Sequence, residues 1–482
     1  MNGHRITLLG SQEQNLKKWL ISDSKGYERG AVILFRRFSR FDSTSFVSDR
    51  FVAVEVIQMD SDWILDSSKT HLTINMRKFP ELYLRCEQEN LELGFVHNHP
   101  SGYPDFSEKD NENEKNILHG LSGCNGVMSF LVSMVLTNDK WIARIRQGVK
   151  IDSAQEVRHV SILSDKLELY EGGGELEENE SLKRQAAAFG KPFNDKMQSL
   201  RVAIVGLGGT GSATATLLAR CGIGELILID GDVLEGSNMN RVRGYRGTDV
   251  SKKKAISLAN YIDSLELNVN VVPIDKYIGD SGKAIDAISS ADIVFGCTDD
   301  IIGRDIMNQA MYYYSLVYID MGLTGFIDFD STNQPYLRDH RGRVSCILPE
   351  SGSCLRCQNV VTDEGLKYEF AIKENPELKK LDSETLKKEH YLVGGEEEAP
   401  GVGPFTSATA DNAVATLMNL VRGFRDMSSD LRQDNIWIDF IHQCIHSNSP
   451  TNDLNCVYCK TGAITLKKEK KYRLDMPLLG EI

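Results

Sequence analysis

The chain has 482 residues, 41% of them apolar and 26% charged, with a net charge of −13; this length predicts two to four domains and the composition excludes disordered, collagen-like and coiled-coil classes. The acidic balance excludes nucleic acid as the default partner, because phosphate contacts need clustered Lys and Arg. No run of about 18 apolar residues predicts a membrane helix, and the start MNGHRITLLGSQEQ lacks the basic and apolar regions of a secretory signal, so a cytoplasmic protein is expected.

In chain order, AVILFRRF (31–38), FVAVEVIQM (51–59), LELGFVHNH (91–99), FLVSMVL (130–136) and WIARIRQ (141–147) read as strands. LTINMRKFPELYLRCEQEN (72–90) has helical spacing, and a second helix is predicted to open at Ser107 as N-cap. The stretch EGGGELEENESL is rich in Gly and Glu and reads as a solvated linker. The expected division is an α/β domain over 1–155, a linker over 156–182 and a second domain over 183–482. The second domain opens with RVAIVGLGGTGSATATLLARCGIGELILIDGD (201–232), a strand, Gly-rich turn, helix and strand. VNVVPID (269–275), ADIVFGCTD (291–299) and LVYIDMG (316–322) supply further buried strands, and LKKEKKYR (466–473) reads as a solvated strand or tail.

The segment HNHPSGYPDFSEKD sets His97, His99, Ser107 and Asp110 at the spacing H-x-H, seven residues, S-x-x-D. Two His at i and i+2 at a strand end point the same way. Two imidazoles and a carboxylate leave the fourth position of a tetrahedral Zn²⁺ open for water, and a nearby carboxylate must take that water's proton. This pattern resembles the JAMM, or MPN, metalloprotease family, whose members cleave isopeptide bonds or tails of ubiquitin-like proteins. The resemblance implies His97, His99 and Asp110 as zinc ligands and Ser107 as a stabiliser of the water and the oxyanion. It also implies Glu28, in YERGAVILF, as the general base.

Gly206, Gly208, Gly209 and Gly211 lie in a turn that follows a strand and opens a helix, which suits phosphate binding. With Asp230 about 20 residues on, this turn alone is also compatible with a dinucleotide-dependent oxidoreductase. The motifs that follow are SNMNR (237–241), SKKKA (251–255), GCTDDIIGR (296–304), SCLRC (353–357) and NCVYC (455–459). In this order they resemble the adenylating domain of the ubiquitin-activating enzymes, which includes the bacterial ThiF and MoeB proteins. The resemblance implies a Rossmann-like α/β domain that uses Mg²⁺ and ATP to adenylate the C-terminus of a ubiquitin-like partner. Gly209 would belong to the phosphate loop, Asp230 would hold the ribose, Asn238, Arg241 and Lys254 would contact phosphates, and Asp299 would bind Mg²⁺. Arg304 matches a motif arginine, and reads more simply as a structural pairing residue. Arg184-Gln185 resembles an element whose arginine reaches the partner subunit's ATP, which implies a homodimer. The paired C-x-x-C motifs, Cys354 and Cys357 with Cys456 and Cys459, fit a closed, structural four-thiolate Zn²⁺ site.

Conjugating members carry a reactive cysteine after the first C-x-x-C, yet 358–411 contains none. Three routes stay open: adenylation alone, with the adenylate handed to a partner; a distant cysteine such as Cys444 or Cys346; or an oxyester on Thr406 or Ser407. Cys444, in WIDFIHQC, reads more simply as a strand core residue. The combined resemblance implies a two-enzyme fusion of the kind found in bacterial ubiquitin-like modification operons, some associated with phage defence, working with an E2-like transfer protein. Activation of a sulfur carrier, and a catalytically idle scaffold, are the other readings.

Overall fold

The computed structural model describes residues 3–23, 25–39, 48–172, 180–381, 385–386, 401–425 and 435–459. The described residues form two units, divided between 179 and 180.

The first unit is built on strands β1 (His4–Leu9), β2 (Gly30–Phe38), β3 (Arg50–Gln58), β4 (Ile64–Ser67), β5 (Leu72–Ile74), β6 (Glu92–Asn98), β7 (Phe130–Thr137), β8 (Lys140–Gln147), β9 (Ala154–Leu163) and β10 (Leu167–Glu171). Its helices are α1 (Gly10–Leu20), α2 (Phe79–Glu89) and α3 (Glu108–Asn125). Eight strands make one sheet in the order β1-β3-β2-β6-β7-β8-β9-β10, and β9 also pairs with β1, so the sheet closes on itself. β4 and β5 form a separate hairpin. Period-2 alternation explains why AVILF (31–35) reads as continuously apolar: both faces of β2 are covered. Ala31, Ile33 and Phe35 pack with Leu16 and Leu20 of α1. Val32 and Leu34 pack with Phe79 and Leu82 of α2 and Ile117 and Leu118 of α3.

Two expectations change here. The 72–90 segment is not one helix: Leu72–Ile74 is a strand, and α2 starts only at Phe79, with Pro80 in its first turn where no backbone donor is needed. The expected linker 156–182 is shortened at its start, because β9 and β10 pair antiparallel within the first unit. The tail 466–473 lies outside the described residues.

The second unit contains α4 (Lys183–Phe189), α5 (Lys191–Ser199), α6 (Gly209–Arg220), α7 (Lys254–Asp263), α8 (Gly282–Ser289), α9 (Ile301–Tyr314), α10 (Asp363–Glu374) and α11 (Gly403–Val421). Its strands are β11 (Arg201–Val205), β12 (Glu225–Ile229), β13 (Asn270–Ile274), β14 (Ile293–Gly296), β15 (Val317–Phe329), β16 (Pro335–Ile347), β17 (Asn435–Asp439) and β18 (Cys444–Asn448). They form one sheet, β13-β12-β11-β14-β15-β16-β17-β18. β13 to β15 run parallel, and β16, β17 and β18 are added antiparallel. The order reverses direction at β11, between β12 and β14. In open α/β sheets ligands bind at such a switch point, beyond the carboxyl ends of the strands.

Candidate active sites

In the first unit the end of β6 and the start of α3 bring the predicted ligands together. His97 Nε2 lies 2.9 Å from Asp110 Oδ1, and His99 Nε2 lies 3.3 Å from Asp110 Oδ2. The two Nε2 atoms are 3.1 Å apart. All three residues are buried. Ser107 caps α3: its Oγ and N–H both donate to Asp110 Oδ2, at 2.8 and 2.6 Å, and its Oγ accepts from the Asp110 N–H at 3.2 Å. Burial opposes the charge on Asp110, but hydrogen bonds from His97 and His99 outweigh it and hold the carboxyl well below the usual range. Ligands about 2.1 Å from a tetrahedral zinc stand roughly 3.4 Å apart, so these atoms need only small shifts to take the ion. His99 Nδ1 is fixed by the Tyr103 carbonyl at 3.1 Å, the usual outer support of a ligating imidazole.

Glu28 sits just before β2, whose Gly30 pairs with His97. Arg29 N–H donates to Asn98 Oδ1 at 2.8 Å, and Asn98 N–H donates to the Arg29 carbonyl at 3.3 Å, so Glu28 is tied alongside the two histidines. The residue is 3% exposed. Burial pushes its carboxyl up, against the pull of His97 and His99.

In the second unit the Gly-rich turn sits at the switch point. Gly206 has φ +86°, and a Cβ there would meet the Cys297 carbonyl at 2.8 Å. A Cβ on Gly211 would lie 1.8 Å from the Gly206 carbonyl, so the helix can approach the turn only with glycine. Gly208 precedes α6 and faces open space. Gly209 packs on the Thr406 side chain of α11.

Asp230, at the end of β12, accepts from the Leu207 N–H at 2.6 Å and from the Asp232 N–H at 2.7 Å. It therefore ties the glycine turn to the next loop, and burial pushes its carboxyl up. Lys254, at the start of α7, donates to Asp232 at 2.7 Å, and Tyr277 donates to the same carboxylate at 2.6 Å. Burial of Asp232 is outweighed by these two bonds, so its carboxyl lies below the usual range. Asp232 and Tyr277 were not singled out from the sequence. The DGD spacing was the available signal for Asp232; Tyr277 had none, since it lies 45 residues away.

Asn238 accepts from the Glu235 N–H at 3.2 Å, and Arg241 donates to the Ser237 carbonyl at 2.9 Å in the loop after β12. Asp299 is exposed after β14, and Arg304 donates to its carbonyl at 3.3 Å. Arg304 also faces the buried Asp320 at 3.7 Å. Arg184 is exposed on α4, while Gln185 anchors that helix to Asn194 and the Cys221 carbonyl.

The four cysteines cluster as expected. Sγ separations are 3.7 Å for Cys354–Cys357, 3.6 Å for Cys354–Cys456 and 3.6 Å for Cys357–Cys459. Thiolates about 2.3 Å from a tetrahedral zinc stand roughly 3.8 Å apart, so the donors fit a closed site.

The structure separates the acyl-acceptor candidates. Thr406 is 2% exposed and donates to the Gly403 carbonyl at 3.0 Å, so its hydroxyl is spent within α11. Ser407 is half-buried on the same helix, and Cys346 is buried in β16. Cys444 is not a strand core residue. The Asp439 carboxylate accepts from the Ile441 and His442 N–H groups, ending β17, and Cys444 opens the exposed strand β18.

A model of the ThiF family matches residues 182–452, within the second unit. A ubiquitin-like modifier-activating enzyme 5 of Dictyostelium discoideum is 30% identical over 174 residues, 34% of this chain and 42% of the relative. The SAMP-activating enzyme E1 of Haloferax volcanii is 27% identical over 162 residues, 34% of this chain and 54% of the relative. The Drosophila erecta modifier-activating enzyme 5 is 27% identical over 277 residues, 55% of this chain and 60% of the relative. The chain thus spans about half the length of the curated relatives it matches. A solved structure of E. coli MccB with ATP is similar over 58% of this chain and 75% of that one, at 20% identity and TM-score 0.43. Among the described residues, no helix is long and apolar enough to cross a membrane.

Proposed function

Because the chain belongs to the ThiF family, we propose that its second unit adenylates the C-terminal carboxylate of a ubiquitin-like protein. A carboxylate oxygen attacks the α-phosphorus of ATP, the α–β phosphoanhydride breaks, and pyrophosphate leaves. This chemistry needs positioning and charge stabilisation rather than covalent help from the protein. The observation that carries the reading is that Gly208, Asp230 and Asp299 follow on β11, β12 and β14, with Asp230 bonded to the Leu207 and Asp232 N–H groups and Lys254, at the start of α7, bonded to Asp232. The glycine turn and the start of α6 would hold phosphate on backbone N–H groups. Lys254, oriented by Asp232, would balance phosphate charge, with Arg241 and Asn238 beside it. Asp299 would hold Mg²⁺, which when bound neutralises phosphate oxygens. Exposed Arg184 is available to a second subunit, in keeping with a homodimer. Pyrophosphate exchange tests the reading: it should be lost in Lys254→Ala.

The first unit we read as a hydrolase that trims or removes that same partner. His97, His99 and Asp110 would hold a zinc ion, which when bound acidifies water toward neutrality. Glu28 would accept the proton, and Ser107 would steady the oxyanion. Cleavage of an isopeptide probe that survives Glu28→Gln would refute this assignment.

The adenylate is the last covalent step we assign, since 358–411 contains no cysteine. Cys444 is exposed, and a thiol-labile adduct lost in Cys444→Ala would extend the path to a thioester and an E2-like acceptor. A role in a bacterial antiphage conjugation pathway and a role in sulfur-carrier activation are told apart by the cellular product, a protein conjugate or a thiocarboxylate.

A further inference from the structure

The hairpin β4–β5 lies outside the main sheet of the first unit, and its turn carries a closed hydrogen-bond network. His71 Nε2 meets Asp66 Oδ2 at 2.8 Å, and His71 Nδ1 meets Ser68 Oγ at 2.7 Å. Ser68 N–H donates to the His71 carbonyl at 2.9 Å, and Thr70 N–H donates to Ser68 Oγ at 3.2 Å. One imidazole therefore bridges both arms of the turn and fixes Ser68 on two sides.

The Ser68 carbonyl accepts the Glu28 N–H at 2.7 Å. Glu28 lies in an irregular stretch before β2 and has no ladder of its own. Its neighbour Arg29 is tethered to Asn98, beside the histidines. That tether sets how far Glu28 lies from His97 and His99. The Ser68 carbonyl supplies a second anchor, which limits rotation of the Glu28 backbone about the first.

The geometry points to His71 as a positioning residue for Glu28, acting through a clip closed around Ser68. This rests on the hydrolytic reading of the first unit. His71 touches no reacting atom. Its contribution is to keep the carboxylate aimed, and misplacement of a catalytic group by about 1 Å costs roughly a hundredfold in rate. The side chain is 39% exposed, so its replacement removes the clip without opening the core.

Two measurements on the full chain test this. In hydrogen exchange, the Glu28 amide should exchange about tenfold faster in His71→Ala, with α3 amides unchanged. His71→Gln, whose amide can donate to Asp66 and accept from Ser68, should restore protection. On a fluorogenic peptide with a Gly–Gly isopeptide to lysine, His71→Ala should lower kcat about tenfold to a hundredfold and leave KM in place. Unchanged Glu28 exchange, or a change in KM alone, would overturn the clip. Failure of the unsubstituted protein to cleave the probe would count against the hydrolase reading, and the exchange result would still decide the clip.

Discussion

Lys254 and Asp232 form an ion pair where the loop after β12 meets the start of α7. The Asp232 carboxyl lies below the usual range, because the bonds from Lys254 and Tyr277 outweigh burial. A depressed carboxyl stabilises the fold above its unfolded pKa of about 3.9, and that contribution is lost as pH falls through the lower folded value. The difference in melting temperature between the unsubstituted protein and Asp232→Asn should therefore be flat from pH 6 to 8 and shrink only below about pH 4. A difference that disappeared near pH 6 would contradict the pairing. Gly211 offers a steric test. Its Cβ position lies 1.8 Å from the Gly206 carbonyl, and overpacking of this kind costs about 1–3 kcal/mol. Gly211→Ala should lower the melting transition of the second unit and weaken Mg-ATP binding measured by calorimetry. Gly236→Ala, where nothing lies within 4 Å, should melt with the unsubstituted protein. The glycines, the histidines and the cysteines were legible in the sequence because each motif is local and the residue type is demanded by the chemistry. Tyr277 was not, because its bond to Asp232 depends on β12 and β13 lying side by side.

At the scale of elements, legibility followed burial. The two-sided apolar runs of β2, β11 and β14 announced themselves, as did the Ser107 cap. The 72–90 segment misled because Leu72 and Ile74 share helical spacing with Phe79 and Leu82 yet belong to a hairpin that packs on the same core. β9 and β10 are harder to read from the sequence: Glu156 and Arg158 interrupt the apolar pattern in the first half of β9, and the Gly- and Glu-rich stretch begins at the last residue of β10. The exposure of Cys444 is invisible in hydropathy, because it follows from the side-chain cap by which Asp439 ends β17. The four-cysteine cluster joins the segment after β16 to the end of the described chain, about 100 positions apart in sequence. Binding that favours the folded state a thousandfold over Kd contributes about 4 kcal/mol, or roughly 10 °C in a unit of this size. Chelation, or Cys354→Ser, should lower the second unit's transition by about that amount and leave the first unit's transition in place. An unchanged transition in zinc-depleted protein would show that the cluster holds no structural ion.

At the scale of the whole molecule, the first unit closes its sheet on itself, the second keeps an open sheet, and each has its own buried strands, so each should unfold as its own cooperative unit. Calorimetry of the full chain should resolve two cooperative transitions; a single transition would show that the cores depend on one another. The two units part between 179 and 180, inside the Gly- and Glu-rich stretch, and the first unit takes in β9 and β10. The family match covers the second unit, and the hydrolytic reading of the first rests on the placement of His97, His99, Asp110 and Glu28. The most direct test of the account is ATP–pyrophosphate exchange by the full chain with ubiquitin-like proteins ending in Gly-Gly. The expected result is exchange that needs Mg²⁺ and such a partner and is lost in both Lys254→Ala and Asp299→Ala. Exchange that persists in those two variants would contradict it.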